Sequence, residues 1–222
     1  MSGHRLEPSH TLFYDVDTQR DFMLAGGALY VPGCETIIPA LAELTDFARR
    51  LHIRRFCSVD RHFPGDAELR RNGGPWPDHC MDGTPGQRKI DETAAANARA
   101  LPNTPLAEVE LERALQQSGD LILEKQDVDV LKGNCLARQI IAWLAAHYDC
   151  IAVYGVFTEV CVDYAVQALL QAGRTPVVVN DAIHDIDLAA GEAARHRWQA
   201  EGVELITHRA LQERLLSSSD RK

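Results

Sequence analysis

Short apolar runs of strand length recur along this chain and alternate with segments of helical periodicity. Nearly continuous apolar character is typical of parallel strands that are covered by helices on both faces. Six such runs are found at residues 11–16, 55–59, 120–124, 150–155, 176–180 and 203–207. Helical patterns lie between them at residues 35–51, 136–147, 158–172 and 188–200.

This alternation predicts a three-layer α/β/α fold with a mostly parallel, six-stranded, Rossmann-like sheet. The chain has 222 residues and is 45% apolar, which favours a single domain, 1–222, with one core. One insertion at about residues 62–105, rich in Gly, Pro and charge, interrupts the alternation. A loop of this length in a compact domain is usually functional.

Polar and reactive residues follow the predicted strands, at the edge of the sheet where open α/β folds bind ligands. We therefore expect the ends of the strands to bring a cysteine, a lysine, histidines and acids together. The residues at these ends are Asp15, Asp17, Asp60, His62, Lys125, Cys161 and Asp181.

Composition excludes several kinds of partner. A net charge of −9 repels phosphate backbones, so we expect no nucleic-acid partner. No apolar run reaches the roughly 18 residues of a membrane span, and the first residues do not resemble a signal peptide, so we expect a cytoplasmic protein without a membrane partner. Six cysteines without a CxxC pair argue against disulfides, and we expect Cys57 and Cys150 to be buried thiols.

Three of the strand-end residues could perform nucleophilic chemistry, although each also has a structural explanation. Cys161 falls at the first turn of a predicted helix, where helix amides would lower the pKa of a thiol, or it is a small packing residue. Lys125 could flank a thiolate or lie in solvent at a strand end. Asp17 could be a general base or a turn residue, and Asp21 a helper or a helix cap.

A second group could bind a metal ion. Asp60 and His62 lie two residues apart after a strand, and His79 lies in the insertion. Two imidazoles and a carboxylate suit Zn²⁺, Fe²⁺ or Mn²⁺ with open positions for water. Taken singly, the same residues could equally be ordinary polar loop residues.

Four segments, taken together and in order, resemble nicotinamidases of the isochorismatase-like cysteine hydrolase superfamily. Residues 16–22 (VDTQRDF) with 26–33 (GGALYVPG) resemble the family's opening, and Asp60-Arg-His62 with 76–86 (WPDHCMDGTPG) its metal segment. Glu124-Lys125 resembles its lysine strand, and 155–162 (GVFTEVCV) its nucleophile turn. The resemblance runs from about residue 12 to residue 207.

The resemblance implies roles for these residues. Cys161 would be the nucleophile, Asp17 the base for its proton, and Lys125 the cation between them, a division that suits covalent catalysis. The backbone amides of Phe157 and Cys161 would form the oxyanion hole, after a cis Val156–Phe157 bond. Asp60, His62 and His79 would bind one divalent ion, Zn²⁺, with Fe²⁺ or Mn²⁺ as alternatives. Phe22, Trp76 and Phe157 would line the substrate pocket.

The sequence departs from the family in two places. Nicotinamidases often carry a further ligand shortly after the second one, where this chain offers Asp66 or Glu68. The stretch after the lysine, residues 126–132 (QDVDVLK), lacks the family's usual small, hydroxyl and aromatic residues.

The leading hypothesis is a metal-assisted amidohydrolase that converts nicotinamide to nicotinate and ammonia through a thioester on Cys161. Its small-molecule substrate could instead be a carbamoyl or ureido compound or another small amide. Hydrolysis of a vinyl ether, as in isochorismatases, and a non-catalytic domain are two further alternatives. The resemblance also implies a homo-oligomer, a dimer or a tetramer.

Overall fold

Seven strands form one parallel sheet in the computed structural model, which describes residues 6–95 and 97–219. Their order across the sheet is β3-β4-β2-β1-β5-β6-β7. The strands are β1 (Thr11–Val16), β2 (Arg54–Asp60), β3 (Arg99–Leu101), β4 (Leu121–Lys125), β5 (Cys150–Val156), β6 (Val177–His184) and β7 (Glu204–Ile206).

The predicted α/β fold is confirmed, but the count of six strands is one short. The additional strand, β3, lies inside the insertion and pairs with β4 at one edge of the sheet. It has three residues, of which two are exposed, so it lacks the apolar run by which the other strands were recognised. The assignment of the whole chain to one domain stays a prediction.

Eight α-helices lie in the part of the chain that the structure describes. They are α1 (Arg20–Met23), α2 (Ile38–Leu51), α3 (Glu108–Gln116), α4 (Val130–Gly133), α5 (Ala137–His147), α6 (Asp163–Gln171), α7 (Leu188–Ala200) and α8 (His208–Ser219). The helix predicted over residues 158–172 begins instead with a π-helical turn, Thr158–Val162, which leads into α6.

Two apolar cores cover the two faces of the sheet. On one face α2 and α8 bury Leu41, Leu44 and Leu211. On the other face α3, α5, α6 and α7 pack, and the fully buried Trp198 belongs to this core. Burial of both faces explains why the long strands are almost uniformly apolar.

The order of the strands reverses direction at β1, which lies between β2 and β5. The chain first builds the β2 side of the sheet and then the β5 side. Ligands of open α/β sheets bind at such a switch point, beyond the carboxyl ends of the strands. The residues that follow β1, β2, β4 and β5 therefore come together there.

Cys57 and Cys150 are buried free thiols, as predicted. Cys34 and Cys80 are also buried, and Cys135 is exposed. Within residues 6–95 and 97–219, no helix has both the length and the apolar character needed to cross a membrane.

Candidate active site

Cys161, Asp17 and Lys125 meet in one buried cluster at the switch point. The Lys125 Nζ atom, at the end of β4, lies 2.9 Å from Asp17 Oδ2 and 3.6 Å from Cys161 Sγ. It also contacts the carboxylate of Asp60, at the end of β2. Lys125, Asp17 and Asp60 are each at most 1% exposed, so these charges interact with little screening.

Local backbone structure orients Asp17 toward this cluster. Asp17 follows β1 with a φ of 50°, a left-handed conformation that aspartate adopts more readily than most residues. Its amide donates to the Ser58 carbonyl at 3.2 Å. The Ser58 hydroxyl in turn donates to Asp17 Oδ1 at 2.7 Å, which leaves Oδ2 facing Lys125.

Burial dominates the pKa values of Cys161 and Asp17. It raises the pKa of Cys161 well above its usual value, with Lys125 opposing the rise and Asp17 adding to it. It also raises the pKa of the Asp17 carboxyl, again against Lys125. The prediction that the pKa of Cys161 is lowered is therefore wrong, because desolvation of the buried thiol outweighs the nearby charge of Lys125.

The turn that carries Cys161 is held by the Phe157 carbonyl, which accepts hydrogen bonds from the amides of Val160 (3.0 Å) and Val162 (3.1 Å). The bond between Val156 and Phe157 is cis, as the resemblance implied. Cys161 lies in the π-helical turn that follows. The assignment of an oxyanion hole to the amides of Phe157 and Cys161 stays a prediction.

Asp60, His62 and His79 form a second buried cluster beside Lys125. Candidate ligand atoms of these three residues all lie within 4.8 Å of one another. Asp60 Oδ2 is 3.6 Å from His79 Nε2 and 3.9 Å from His62 Nε2. Burial opposes ionisation of Asp60, but Lys125 and both histidines hold the pKa of its carboxyl well below the usual value.

The chemistry of this cluster fits a divalent metal ion. Ring atom Nδ1 of His62 contacts Asp66 Oδ2 at 3.0 Å, and that of His79 contacts the Pro77 carbonyl at 2.8 Å. Such outer contacts typically orient metal-binding histidines. Nε2 of His62 is buried without a hydrogen-bond partner, which is costly unless a cation binds there.

Of the two candidates for a further ligand, Glu68 is the better placed. Its carboxylate lies 3.9 Å from His62 Nε2, and both of its oxygens are buried without a hydrogen-bond partner. Burial and the nearby Asp60 raise the pKa of Glu68 to about 7. Asp66 contacts the opposite ring nitrogen of His62 and is placed to orient the ring.

A cavity of about 210 Å³ opens over both clusters. The predicted pocket residues Phe22, Trp76 and Phe157 all line it. The Phe22 ring packs edge-on against Phe157, with centroids 5.7 Å apart, and 5.6 Å from His79. Cys161 lines the same cavity, together with Asp60, Glu68 and His79, so the thiol and the candidate metal ligands face one ligand space.

The isochorismatase domain family matches residues 12–210, which is most of the chain. The chain belongs to this family. The motifs that predicted the resemblance all fall within the matched region, and the prediction of an isochorismatase-like hydrolase is confirmed.

Two known enzymes resemble the chain over most of its length. A nicotinamidase of Acinetobacter baylyi is 25% identical over 210 residues, covering 87% of this chain and 91% of the relative. A pyrazinamidase of Pyrococcus horikoshii, solved in complex with zinc, is 25% identical with a TM-score of 0.69, covering 89% of this chain and 99% of the other. These relatives are amidohydrolases, the class of enzyme that the sequence predicts.

A third relative shares the fold of this isochorismatase family chain. The N-carbamoylsarcosine amidase of Thermoplasma acidophilum superimposes with a TM-score of 0.66 at 22% identity, covering 89% of this chain and 96% of the other.

Two strand-end acids do not join the site of this family member. Asp15 lies 3.0 Å from Lys89 and accepts a hydrogen bond from Thr18. Asp181 lies within β6, which continues to His184, and its carboxylate contacts His208 on α8. The β5–β6 register passes from Val153–Val178 to Gly155–Ile183, so β6 has extra residues here and Asp181 turns away.

Sequence reasoning missed Gln19, which supports the candidate metal cluster of this family member, and identified Asp21 only as a helper or a helix cap. Gln19 is fully buried; its side chain donates to the Asp60 carbonyl and accepts from the Asp60 amide, both at 2.7 Å. Asp21 accepts hydrogen bonds from the amides of Cys80 (2.6 Å) and Ala28 (3.1 Å). It therefore joins the segment that carries His79 to Ala28 in the wall of the cavity. Both lie in the VDTQRDF segment, which was the available signal.

Proposed function

We propose that this protein is a cysteine amidohydrolase of small uncharged amides, with nicotinamide as its leading substrate and nicotinate and ammonia as products. One observation carries the proposal. The thiol of Cys161 lies 3.6 Å from Lys125, which also contacts Asp17, and this buried cluster faces an aromatic cavity that Asp60 and His79 share.

In the proposed reaction, Cys161 Sγ attacks the amide carbonyl carbon. The raised pKa of Cys161 means that the resting thiol keeps its proton and needs a base at the moment of attack. Asp17 takes this proton and passes it to the leaving nitrogen, and the C–N bond breaks to release ammonia. Water then attacks the thioester and gives a proton to Asp17, the S–C bond breaks, and Asp17 passes that proton to the sulfur of Cys161.

The positive charge of Lys125 would offset the negative charges of Asp17 and Asp60 and of the sulfur of Cys161 in one buried space. Burial would otherwise lower the pKa of its ammonium group, but Asp17 and Asp60 raise it well above the usual value, so Lys125 stays charged. The amides of Phe157 and Cys161 are proposed to hold the oxyanion, because donors fixed in a dry site stabilise developing charge.

Asp60, His62 and His79, with Glu68 as a further ligand, are proposed to bind one divalent ion. Zn²⁺ suits this set of nitrogen and oxygen atoms, and Fe²⁺ or Mn²⁺ are alternatives. A bound ion supplies positive charge and open coordination positions for a ring nitrogen or for water. Phe22, Trp76 and Phe157 would hold a flat ring beside these positions.

The cavity lining favours an uncharged substrate over a ureido acid. Among the described residues, its lining includes no lysine or arginine, whereas it includes the acidic Asp60 and Glu68. A substrate carboxylate would therefore meet no cationic side chain in the wall and would depend on the bound ion alone for a positive partner. The fold shared with a carbamoylsarcosine amidase makes a carbamoyl compound the second candidate.

Ammonia release from a panel of nicotinamide, pyrazinamide and N-carbamoylsarcosine tests this proposal. We expect turnover of the two aromatic amides, its loss in Cys161→Ala, and wild-type turnover in Cys135→Ala, which removes an exposed thiol. Turnover of N-carbamoylsarcosine alone would show that the substrate is a carbamoyl compound and not an aromatic amide. Ammonia release that survives in Cys161→Ala would contradict the thioester mechanism.

Cytoplasmic location is a further proposal, and assembly as a homodimer or homotetramer is another, which rests on the family resemblance. Sedimentation of the purified protein tests the second, and a monomer at micromolar concentration would contradict it.

A further inference from the structure

Ile186 lines the cavity although its side chain is not buried by the surrounding protein. It lies in the 185–187 loop, defined as the three residues between β6 and α7. Its side chain lines the same cavity as Cys161 and Trp76 and is 42% exposed. An apolar side chain this exposed needs its backbone to be fixed by other means if it is to act as a wall.

The 185–187 loop is fixed on the side of α7. The Asp185 carboxylate accepts two hydrogen bonds from the Arg195 guanidinium, at 2.8 and 2.9 Å. Gly191 leaves room for this carboxylate, since a Cβ there would lie 2.4 Å from Asp185 Cγ. Asp187 caps α7 by accepting from the Ala190 amide at 2.8 Å.

Glu159 fixes the same loop from the side of the nucleophile. Its Oε1 atom accepts a hydrogen bond from the Asp187 amide at 2.6 Å, and its Oε2 atom accepts one from the Ile186 amide at 3.3 Å. Glu159 lies in the π-helical turn, two residues before Cys161. One carboxylate therefore ties the turn that carries the nucleophile to the loop that carries Ile186.

We propose that Glu159 is a positioning residue that fixes Ile186 as a wall of the cavity, and that Ile186 thereby limits the bulk of molecules that reach Cys161. Hydrogen bonds from backbone amides to a carboxylate are stronger than those to neutral acceptors, so one side chain can hold the loop. The inference rests on the proposed function only for the identity of the amide, because access to Cys161 can be measured without any substrate.

Alkylation of Cys161 by two maleimides of different size tests this proposal. N-methylmaleimide and N-benzylmaleimide carry the same reactive group, and mass spectrometry of the Cys161 peptide separates its reaction from that of the exposed Cys135. The measured quantity is the rate with the benzyl reagent divided by the rate with the methyl reagent. This ratio reports access and cancels changes in the reactivity of the thiol.

We expect Ile186→Ala and Glu159→Ala each to raise this ratio by about tenfold, which is the usual effect of removing one apolar contact from a pocket. Glu159→Gln should raise it less, because a glutamine side chain keeps one acceptor oxygen. The double variant should not exceed Ile186→Ala, since both changes act through one wall. Leu188→Ala and Glu192→Ala, which truncate exposed side chains on α7, should leave the ratio unchanged.

Several outcomes would overturn the inference. If folded Glu159→Ala or Glu159→Gln keeps the wild-type ratio, Glu159 does not position Ile186. A lower melting temperature in these variants would then show that Glu159 contributes only to stability. If Ile186→Ala keeps the wild-type ratio, Ile186 does not limit access to Cys161. Cys161 that resists both reagents in the wild-type protein would contradict the proposed function as well, whereas normal alkylation with unchanged ratios would contradict this inference alone.

Discussion

Lys125 contacts three groups whose charges would otherwise conflict. Its ammonium group lies 2.9 Å from Asp17 and 3.6 Å from Cys161 Sγ, and it also touches Asp60. The side chain is 1% exposed, so water cannot replace it. Removal of one partner from a buried ionic group leaves the others without compensation. Lys125 should therefore matter for stability as well as for activity.

We predict that Lys125→Met abolishes amide turnover and lowers the free energy of unfolding by about 3–5 kcal/mol, the usual cost of breaking a buried pair. Urea denaturation measures the loss. Lys132→Met is the matched control, because the Lys132 side chain is 68% exposed and solvent screens its pair with Asp129, so its removal should leave the stability nearly unchanged. Equal stability of the two variants would show that Lys125 is not the buried cation described here.

Asp66 influences the metal cluster through His62. Its Oδ2 atom lies 3.0 Å from His62 Nδ1 and also accepts from the Phe63 amide at 2.9 Å. We predict that Asp66→Ala weakens Zn²⁺ binding by about 10–100-fold, as is usual when an outer contact of a metal-binding histidine is removed. Competition with a chromophoric chelator measures the affinity.

Asp91→Ala is the control for this experiment. Asp91 pairs with Arg20, its side chain is 85% exposed, and its removal should leave the affinity for zinc unchanged. Wild-type affinity in Asp66→Ala would mean that His62 is oriented without it.

At the scale of the elements, the close approach of β5 to β1 positions the nucleophile turn. Gly155 near the end of β5 has a φ of +123°, and a Cβ there would lie 2.0 Å from the Val16 carbonyl oxygen. A side chain at this position would push apart the two strands whose ends carry Asp17 and Cys161. Glycine at position 155 is therefore required by close contact as well as by conformation.

We predict that Gly155→Ala lowers the free energy of unfolding by about 3 kcal/mol or more, because strain and overpacking act together. Gly173→Ala is the matched control: Gly173 has a φ of +80° with open space around it, so it should lose only about 1–2 kcal/mol. Urea denaturation of both variants gives the comparison. A loss at Gly155 no larger than at Gly173 would contradict the close contact.

The sequence allowed the long strands and the meeting of their ends to be predicted, because burial on both faces leaves a strong apolar signal. Asp17, Asp60, Lys125 and Cys161 were placed at one edge from the strand pattern alone. The short edge strand β3 carries no such signal, with two of its three residues exposed. The position of Asp181 depends on the extra residues of β6 relative to β5. This shift in register cannot be predicted from the sequence of β6 alone.

The residues that support the site were harder to predict than the residues in it. Gln19 acts on the backbone of Asp60, 41 residues away in sequence, and only the tertiary fold makes that contact. The choice between Asp66 and Glu68 likewise depended on which nitrogen of His62 each one faces.

The candidate metal site of Asp60, His62, His79 and Glu68 matters for the stability of the whole molecule, because it buries polar atoms that no hydrogen bond satisfies. His62 Nε2 and both carboxylate oxygens of Glu68 lack hydrogen-bond partners, and Asp60 and His79 lie within 3.6 Å of each other beside them. A ligand that binds the folded state and not the unfolded state stabilises the fold by mass action. A metal ion bound here should therefore stabilise the whole protein.

We predict that chelation lowers the melting temperature and that Zn²⁺ restores it, with about 4 kcal/mol of stabilisation when free zinc exceeds the dissociation constant roughly 1,000-fold. His79→Ala should lose most of this response, whereas His147→Ala, on the exposed face of α5, should keep it. A melting temperature in the wild-type protein that does not respond to chelator or zinc would contradict a metal centre at Asp60, His62 and His79.

Detection of the thioester on Cys161 is the most direct test of covalent catalysis by this residue. Acid quenching of the protein during turnover of nicotinamide, followed by mass spectrometry, should show a nicotinoyl group on the peptide that contains Cys161. Asp17→Asn should accumulate little of it, because the thiol of Cys161 then lacks its base. Steady turnover without any acyl group on Cys161, and with full activity in Cys161→Ala, would contradict covalent catalysis by this residue.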